Sequence, residues 1–323
     1  MAYNLDFEQP LTELEQRTRS LQQRSDRLRP DECNELAGLM RELEQRTSEL
    51  YHSLTPWQRV QVARHKDRPY TADYIKIICD DFFELRGDRR HADDQAILAG
   101  LASIDGQTLM LIGYQKGRDL KEKQNRNYGM AHPEGYRKAL RLLHQAERLC
   151  IPVVTLIDTA GAFPGLGAEQ RGIAQAIAEN LQTMSRLRTP MVSIIIGEGG
   201  SGGALALGLA DRVLMMEYAI YMVASPEAAA SILWRDASYA PAAADALKIA
   251  APDLLQLGLI DGIIPEPVGG AHRDHRTAAA AVKEAVLSHL AELRRQPLDT
   301  LLRCRYQRFR TMGAYITRPA ESQ

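Results

Sequence analysis

Gly197-Glu198-Gly199-Gly200-Ser201-Gly202-Gly203-Ala204 follows an apolar β-type run, Met191 to Ile196, and leads into small residues, Ala204 to Ala210, that open a helix. Glycines in such a turn let the main chain approach a ligand without Cβ interference, and the helix N-terminus favours negative charge. The segment satisfies three motifs. As G-x-G-x-x-G, with Gly197, Gly199 and Gly202 after a strand, it is a dinucleotide-binding turn, with Glu217 about twenty residues on to hold a ribose hydroxyl. As G-x-S-x-G it is a nucleophile elbow on Ser201, with Asp261 and His272 downstream in hydrolase order. As bare backbone, the adjacent N–H groups of Gly202 and Gly203 form an oxyanion hole for an enolate or a carboxyl-transfer intermediate. Pattern alone leaves these open, together with a glycine turn that only packs a helix on a sheet.

A second glycine-rich segment, Asp158-Thr159-Ala160-Gly161-Ala162-Phe163-Pro164-Gly165-Leu166-Gly167, ends another apolar run, Val153 to Ile157. Its N–H groups can line the same pocket, or it is a tight turn. Asp158 is either a proton acceptor or a turn cap. Lys116, Arg118, Lys121, Lys123 and Arg126 surround a polar loop suited to phosphates or to an acidic protein face, or simply to solvent. His65, His132 and His272 lack metal-site spacing and are assigned to loops or the surface, and Trp234 is assigned to the core.

The elements that must position these groups are legible in outline. Leu14, Leu21, Leu28, Leu36, Leu39, Leu43 and Leu50 recur at helical spacing, and Arg29-Pro30-Asp31 breaks the run into a helical hairpin. Its leucine stripe faces a partner chain or packs on its own body. Thr12 with Glu15 forms a capping box, Thr55-Pro56 opens a short helix, and Thr71 caps another. Ile97 to Ile104 and Thr108 to Gln115 pair through Asp105-Gly106 as a hairpin. Helices from Pro133 to Leu149 and Ala168 to Leu187 alternate with the strands Val153 to Ile157, Met191 to Ile196 and Arg212 to Met216. Helical segments then cover the Ala-rich stretch Pro226 to Leu257, and Ala278 to Arg294. This is a layered α/β body, with residues 1–70 as a helical extension and 71–323 as the main domain.

Composition excludes several classes. With 323 residues, 45% hydrophobic, the chain can bury a sizeable core, and a net charge of −1 argues against bulk binding to nucleic acid or an anionic membrane. Cys33, Cys79, Cys150 and Cys304 form no C-x-x-C pair, so no structural zinc site is expected. No apolar run reaches membrane-spanning length, and a cytoplasmic location is expected.

Blocks in order along the whole chain resemble one family: the alpha subunit of the bacterial acetyl-CoA carboxylase carboxyltransferase. They are Leu5 to Pro10, Ala63-Arg64-His65, Arg68-Pro69-Tyr70-Thr71, Gly113 to Arg118, Pro133 to Arg141, Gly197 to Ala204, Ile264 to Pro267 and Gly269 to His272. The resemblance implies a crotonase-like superhelix of two-strand-and-helix units. It implies carboxyl transfer from carboxybiotin, carried on a biotin carboxyl carrier protein and made by biotin carboxylase, to acetyl-CoA, giving malonyl-CoA. It also implies a beta subunit that holds the zinc, in an assembly of two alpha and two beta chains. By resemblance Gly202 and Gly203 are the donors of the hole for carboxybiotin, and Gly199, Gly200, Ser201, Ala160, Gly161, Phe163, Pro164 and Gly165 line it. Lys116 and Arg118 then face substrate or partner. The chain departs from the family pattern at Ala160, Phe163, Ala228, Ala229 and Tyr239. These departures imply a variant whose carboxybiotin-side pocket is reshaped, altering inhibitor sensitivity or acyl-CoA preference. A self-sufficient crotonase-like or hydrolytic enzyme using Ser201 is the alternative.

Overall fold

The structure, a computed structural model, describes residues 5–24 and 28–313. Helices α1 (Gln9–Gln22) and α2 (Pro30–His52) form the expected hairpin, with Pro30 in the first turn of α2. They pack on each other with Leu11, Leu21 and Leu39 buried, so part of the leucine stripe is covered by the chain itself. The start of α1 differs from the expected capping box. Pro10 occupies its first turn and Thr12 lies inside the helix.

Helix α3 (Pro56–Ala63) is capped by Thr55, whose hydroxyl accepts from Gln58 N–H at 3.3 Å. In α4 (Thr71–Ile78) the N-cap is Tyr70. Thr71 falls just inside and spends its hydroxyl on the Tyr114 carbonyl, at 2.6 Å. Strands β1 (Asp81–Glu84), β2 (Ile97–Ile104) and β3 (Gln107–Tyr114) pair antiparallel. The Asp105-Gly106 turn has φ of 48° and 70°, the double positive φ that a two-residue hairpin needs.

Then follow α5 (Leu120–Asn125), α6 (Pro133–Arg148), β4 (Val153–Thr159), α7 (Leu166–Gln170), α8 (Ile173–Arg186), β5 (Met191–Gly200), α9 (Ser201–Gly208), β6 (Arg212–Met216) and β7 (Ile220–Met222). The chain ends with α10 (Pro226–Trp234), α11 (Ala240–Ala246), α12 (Ala251–Gln256), β8 (Gly262–Ile264), α13 (His275–Arg294) and α14 (Leu298–Arg310). The single helix expected over Ala168 to Leu187 is split, because Gly172 takes φ of 78° and restarts it as α8. Likewise the Ala-rich stretch is three helices, one ended by Arg235 in the left-handed region.

The sheet runs β1-β2-β3-β4-β5-β6-β8, parallel from β3 onward. Every residue of β4 and β5 is buried, as parallel strands covered on both faces require. Strand β5 is longer than the apolar run that announced it. Its first half pairs with β6, while Glu198, Gly199 and Gly200 pair with Ile220, Tyr221 and Met222 of β7. Thr159 of β4 flanks Gly199 on the other side. The glycines are therefore sheet up to Gly200, and helix α9 begins at once at Ser201, three residues earlier than expected.

Candidate functional site

The turn from β5 into α9 presents main chain. Gly200 is the N-cap, no side chain caps the helix, and exposed Ser201 takes a left-handed φ of 49°. A non-glycine residue held there costs on the order of 1–3 kcal/mol, a strain that clusters at functional turns. The amides of Ser201, Gly202 and Gly203 lie in the first turn, where a helix supplies no acceptor of its own.

Close approach explains most of the glycines. A Cβ on Gly200 would stand 2.0 Å from the Ala160 carbonyl oxygen, one on Gly203 2.6 Å from the Gly161 carbonyl carbon, and one on Gly197 2.6 Å from Asp158 Oδ1. The segments after β4 and β5 thus meet main chain to main chain. Gly202 is different. A Cβ there would find only Ile177 Cδ1, at 3.5 Å, so packing does not require glycine at this position. Beside it opens an apolar cavity of about 400 Å³, with Ser201, Gly202, Leu205, Tyr221 and Val223 among its lining.

The loop after β4 divides. Ala160 and Gly161 abut the glycine turn, and Thr159 Oγ1 fastens them by donating to Gly161 O at 2.8 Å. Phe163 leans the other way, with its N–H on Ala131 O at 3.1 Å and its ring 4.2 Å from that of His132. Gly165 follows beneath it, where a Cβ would come within 2.3 Å of the Phe163 ring, and Pro164 is exposed.

Under the turn lies an ion network of two buried carboxylates and two half-buried cations. Lys116 Nζ is 2.7 Å from Asp158 Oδ1 and 3.1 Å from Glu198 Oε2, and Arg64 Nε donates to Glu198 Oε1 at 2.7 Å. Burial pushes Glu198 up, but Lys116 and Arg64 outweigh it and hold the carboxyl below its usual range. Burial likewise disfavours the Lys116 ammonium, yet Asp158 and Glu198 together raise its pKa well above normal. Arg68 Nε donates to Ile196 O at 2.7 Å, and its guanidinium is paired through both terminal nitrogens with buried Glu266.

This placement corrects several expectations. Lys116 is a half-buried partner of two carboxylates rather than a free cation of a basic loop. Arg118 is committed as well, to Asp73, to Lys66 O at 2.7 Å and to the face of Tyr70 at 4.1 Å. His65 and His272 are interior residues, with rings stacked 4.0 Å apart. Trp234, expected in the core, is 43% exposed and lies against Tyr239. Asp158 spends its carboxylate on the neighbouring strand and on Lys116 rather than on the turn that follows it, accepting from Glu198 N–H at 2.9 Å.

Neither competing motif is assembled. Glu217 Oε2 accepts from Glu266 N–H at 3.2 Å, a structural bond between β6 and the segment after β8. Asp261 accepts from Val213 N–H at 2.6 Å and pairs with Arg308, while His272 is held against His65, so both proposed partners of Ser201 are engaged elsewhere. Sequence reasoning overlooked Glu198, Arg64, Arg68 and Glu266 as a group. The available signal was Glu198, the one charged residue inside the glycine run.

The stacked imidazoles carry a pH prediction. Burial, and then the charges of His65, Arg273, Arg68 and His275, lower the His272 pKa to about 2. The unfolded chain takes up that proton near pH 6.5 while the folded chain does not, so this contribution is complete above pH 6.5 and is lost as pH falls below it. The slope is at most about 1.4 kcal/mol per pH unit for one such group. Thermal unfolding between pH 6.5 and 4.5 is expected to be steeper in pH for the native chain than for His272→Gln, and equal slopes would contradict it.

Comparison with known proteins follows the same line. A family model described as acetyl co-enzyme A carboxylase carboxyltransferase-like matches residues 4–313. The chain is 51% identical over 316 residues to the acetyl-coenzyme A carboxylase carboxyl transferase subunit alpha of Geobacter metallireducens, covering 97% of this chain and 98% of that one. Among solved structures it resembles a Pseudomonas malonate decarboxylase hetero-tetramer in complex with coenzyme A, with TM-score 0.56 and 20% identity over 67% of this chain and 86% of that one. It also resembles the beta subunit of P. aeruginosa geranyl-CoA carboxylase, with TM-score 0.55 and 18% identity over 76% of this chain, although it spans only 46% of that longer chain. At such identities the likeness is one of fold, the crotonase-like α/β superhelix expected from the sequence.

Proposed function

The chain belongs to the acetyl-CoA carboxylase carboxyltransferase alpha-subunit family, and on that premise we propose that its β5–α9 turn is the carboxybiotin side of the transfer site. The activity is carboxyl transfer to acetyl-CoA, toward fatty acid synthesis, and it requires a beta-subunit partner. The observation that carries the site is the pair of first-turn amides at Gly202 and Gly203, set where two backbone segments meet and beside an apolar cavity.

The residues present fit such a ligand: first-turn backbone donors for a carbonyl oxygen, an apolar wall for a ring system and its chain, and no side-chain nucleophile required. Bound carboxybiotin supplies the carboxyl group. Gly202 and Gly203 donate to the oxygen that gains negative charge as that group departs, and the first turn of α9 holds them so that little reorganisation is needed. Gly199 and Gly200 bring β5 to this point, Ser201 sets the sharp turn, and Ala160 with Gly161 backs it by packing on Gly200 and Gly203. Of the departures from the family pattern, Ala160 meets the turn through Gly200, whereas Phe163 lies against His132, away from it.

In this reading the donor arrives on a biotin carboxyl carrier protein after loading by a biotin carboxylase. Two alpha and two beta chains assemble, and zinc belongs to beta. Among the described residues no group of three or more His, Cys, Asp or Glu side chains is placed to hold a metal, and no helix is long and apolar enough to cross a membrane.

The test is malonyl-CoA formation from acetyl-CoA and carboxybiotin with this chain alone, a beta subunit alone, and the two mixed. Activity in the mixture only is expected, and inactivity of a stable complex would contradict the reading. Ser201→Ala is expected to keep most of the activity, since only the serine backbone is used. A loss of about a millionfold, the size that follows removal of a serine nucleophile, would instead favour covalent chemistry at Ser201.

A further inference from the structure

The carboxyl ends of three strands converge on one half-buried lysine. Lys116 follows β3, and its Nζ bridges Asp158 near the end of β4 and Glu198 near the end of β5, at 2.7 and 3.1 Å. Those are the strands whose following segments, 160–162 and 200–203, touch at the glycine turn. Asp158 Oδ1 also accepts from Glu198 N–H at 2.9 Å, so one carboxylate oxygen gathers the lysine and the β5 backbone together.

The main chain is shaped to admit this lysine. Asn127, Tyr128 and Gly129 all lie in the left-handed region, with φ of 48°, 55° and 82°. A Cβ on Gly129 would stand 2.8 Å from Lys116 Cγ and 3.2 Å from Asp158 O, and one on Gly197 would strike the Asp158 carboxylate. Two successive non-glycine residues in that region are costly, and such cost persists where the surroundings over-determine it. On the far side Arg64 binds the other Glu198 oxygen, and its Nη1 donates to Glu227 at the start of α10 at 2.6 Å. A buried ion set of this kind is weak evidence for stability, but its charge-assisted bonds are short and directional, and they fix distances.

We propose that Lys116 is a positioning residue for carboxyl transfer: by bridging Asp158 and Glu198 it sets the spacing of the β4 and β5 ends and thereby the aim of the Gly202 and Gly203 amides. The role rests on the reading of those amides as the oxyanion hole. Lys116 acts through the two carboxylates and does not touch the substrate. A displacement of about 1 Å in such groups costs about a hundredfold in rate.

The test uses Lys116→Met/Asp158→Asn, which removes the cation together with the carboxylate it neutralises and leaves Glu198 paired with Arg64, in the full chain assembled with its beta subunit. A normal melting temperature and normal complex formation are expected, with an unchanged KM for acetyl-CoA and a kcat lower by about a hundredfold. Native kcat in the folded double variant overturns the proposal, as does a loss of kcat that matches a loss of folded protein. Should that variant fail to fold, Glu198→Gln decides. Glu198 accepts from Arg64 and Lys116 through different oxygens, so the amide keeps the side-chain size and releases one tie, and lowered kcat at a normal melting temperature supports the role, whereas native kcat overturns it. Gly202→Val runs in parallel. Native kcat there removes the oxyanion-hole reading itself, whereas loss there beside a fully active double variant removes only the role of Lys116.

Discussion

Gly202→Val should leave the chain folded and able to bind its beta subunit while lowering kcat by about a hundredfold or more, the scale set by the loss of one oxyanion donor. The contrast with Gly203→Val makes the result diagnostic. Both residues sit in the first turn of α9, but a side chain at Gly203 would be driven into Gly161 and Ala162, with contacts of 2.6 and 2.9 Å. Backbone cannot yield there as a flexible side chain can, so Gly203→Val is expected to lose melting temperature as well as activity. At Gly202 the nearest atom is the far end of Ile177, and the residue lines the cavity, so valine fits yet covers the donors. Circular dichroism melting and single-turnover transfer, measured on both variants, separate the effects. Substantial transfer in Gly202→Val would remove these amides from the mechanism.

The second large effect is one of stability. Arg68→Met should destabilise the fold by about 3–5 kcal/mol, the usual result of breaking a fully buried ion pair from one side. Arg68 and Glu266 are both buried, and the same carboxylate also accepts from Tyr218 N–H at 2.9 Å and Ala271 N–H at 2.7 Å. Removing the guanidinium leaves that charge without its counterion. Arg68→Met/Glu266→Gln should recover part of the loss, because the cost lies in the uncompensated charge more than in the missing bonds. Urea titration of the native chain, both single variants and the double variant closes the cycle. A single-variant loss below about 1 kcal/mol would mean that water or a neighbour reaches Glu266, and the pair would then be no clamp.

What the sequence discloses about this protein is local chemistry. Asp105-Gly106 announces its hairpin because two consecutive positive φ angles demand those residue types, and both are observed. Arg212 to Met216 is read as a strand and is one, being a short apolar run with clear ends. The oxyanion-type turn is legible as glycine, yet pattern cannot distinguish a glycine kept for a ligand from one kept for close packing. Only the 2.0 to 2.6 Å approaches at Gly197, Gly200 and Gly203, and the open space at Gly202, do so. The reach of β5 through the glycines escaped for a related reason. Its last residues are strand because Thr159 and β7 bond them, not through any propensity of their own. The ion network was least visible, since Arg64 and Glu198 stand 134 positions apart and a misplaced basic loop was the simplest home for Lys116.

The clamp between Arg68 and Glu266 also fixes an order of events during synthesis. Arg68 leaves the ribosome early and the glycine turn much later, but Glu266 emerges only after both, and the backbone bonds to Tyr218 and Ala271 arrive with it. A nascent chain halted between Ala204 and Glu266 therefore carries the whole glycine motif but not the counterion that holds Arg68 beneath it. A fragment that ends before Glu266 holds the motif without its anchor.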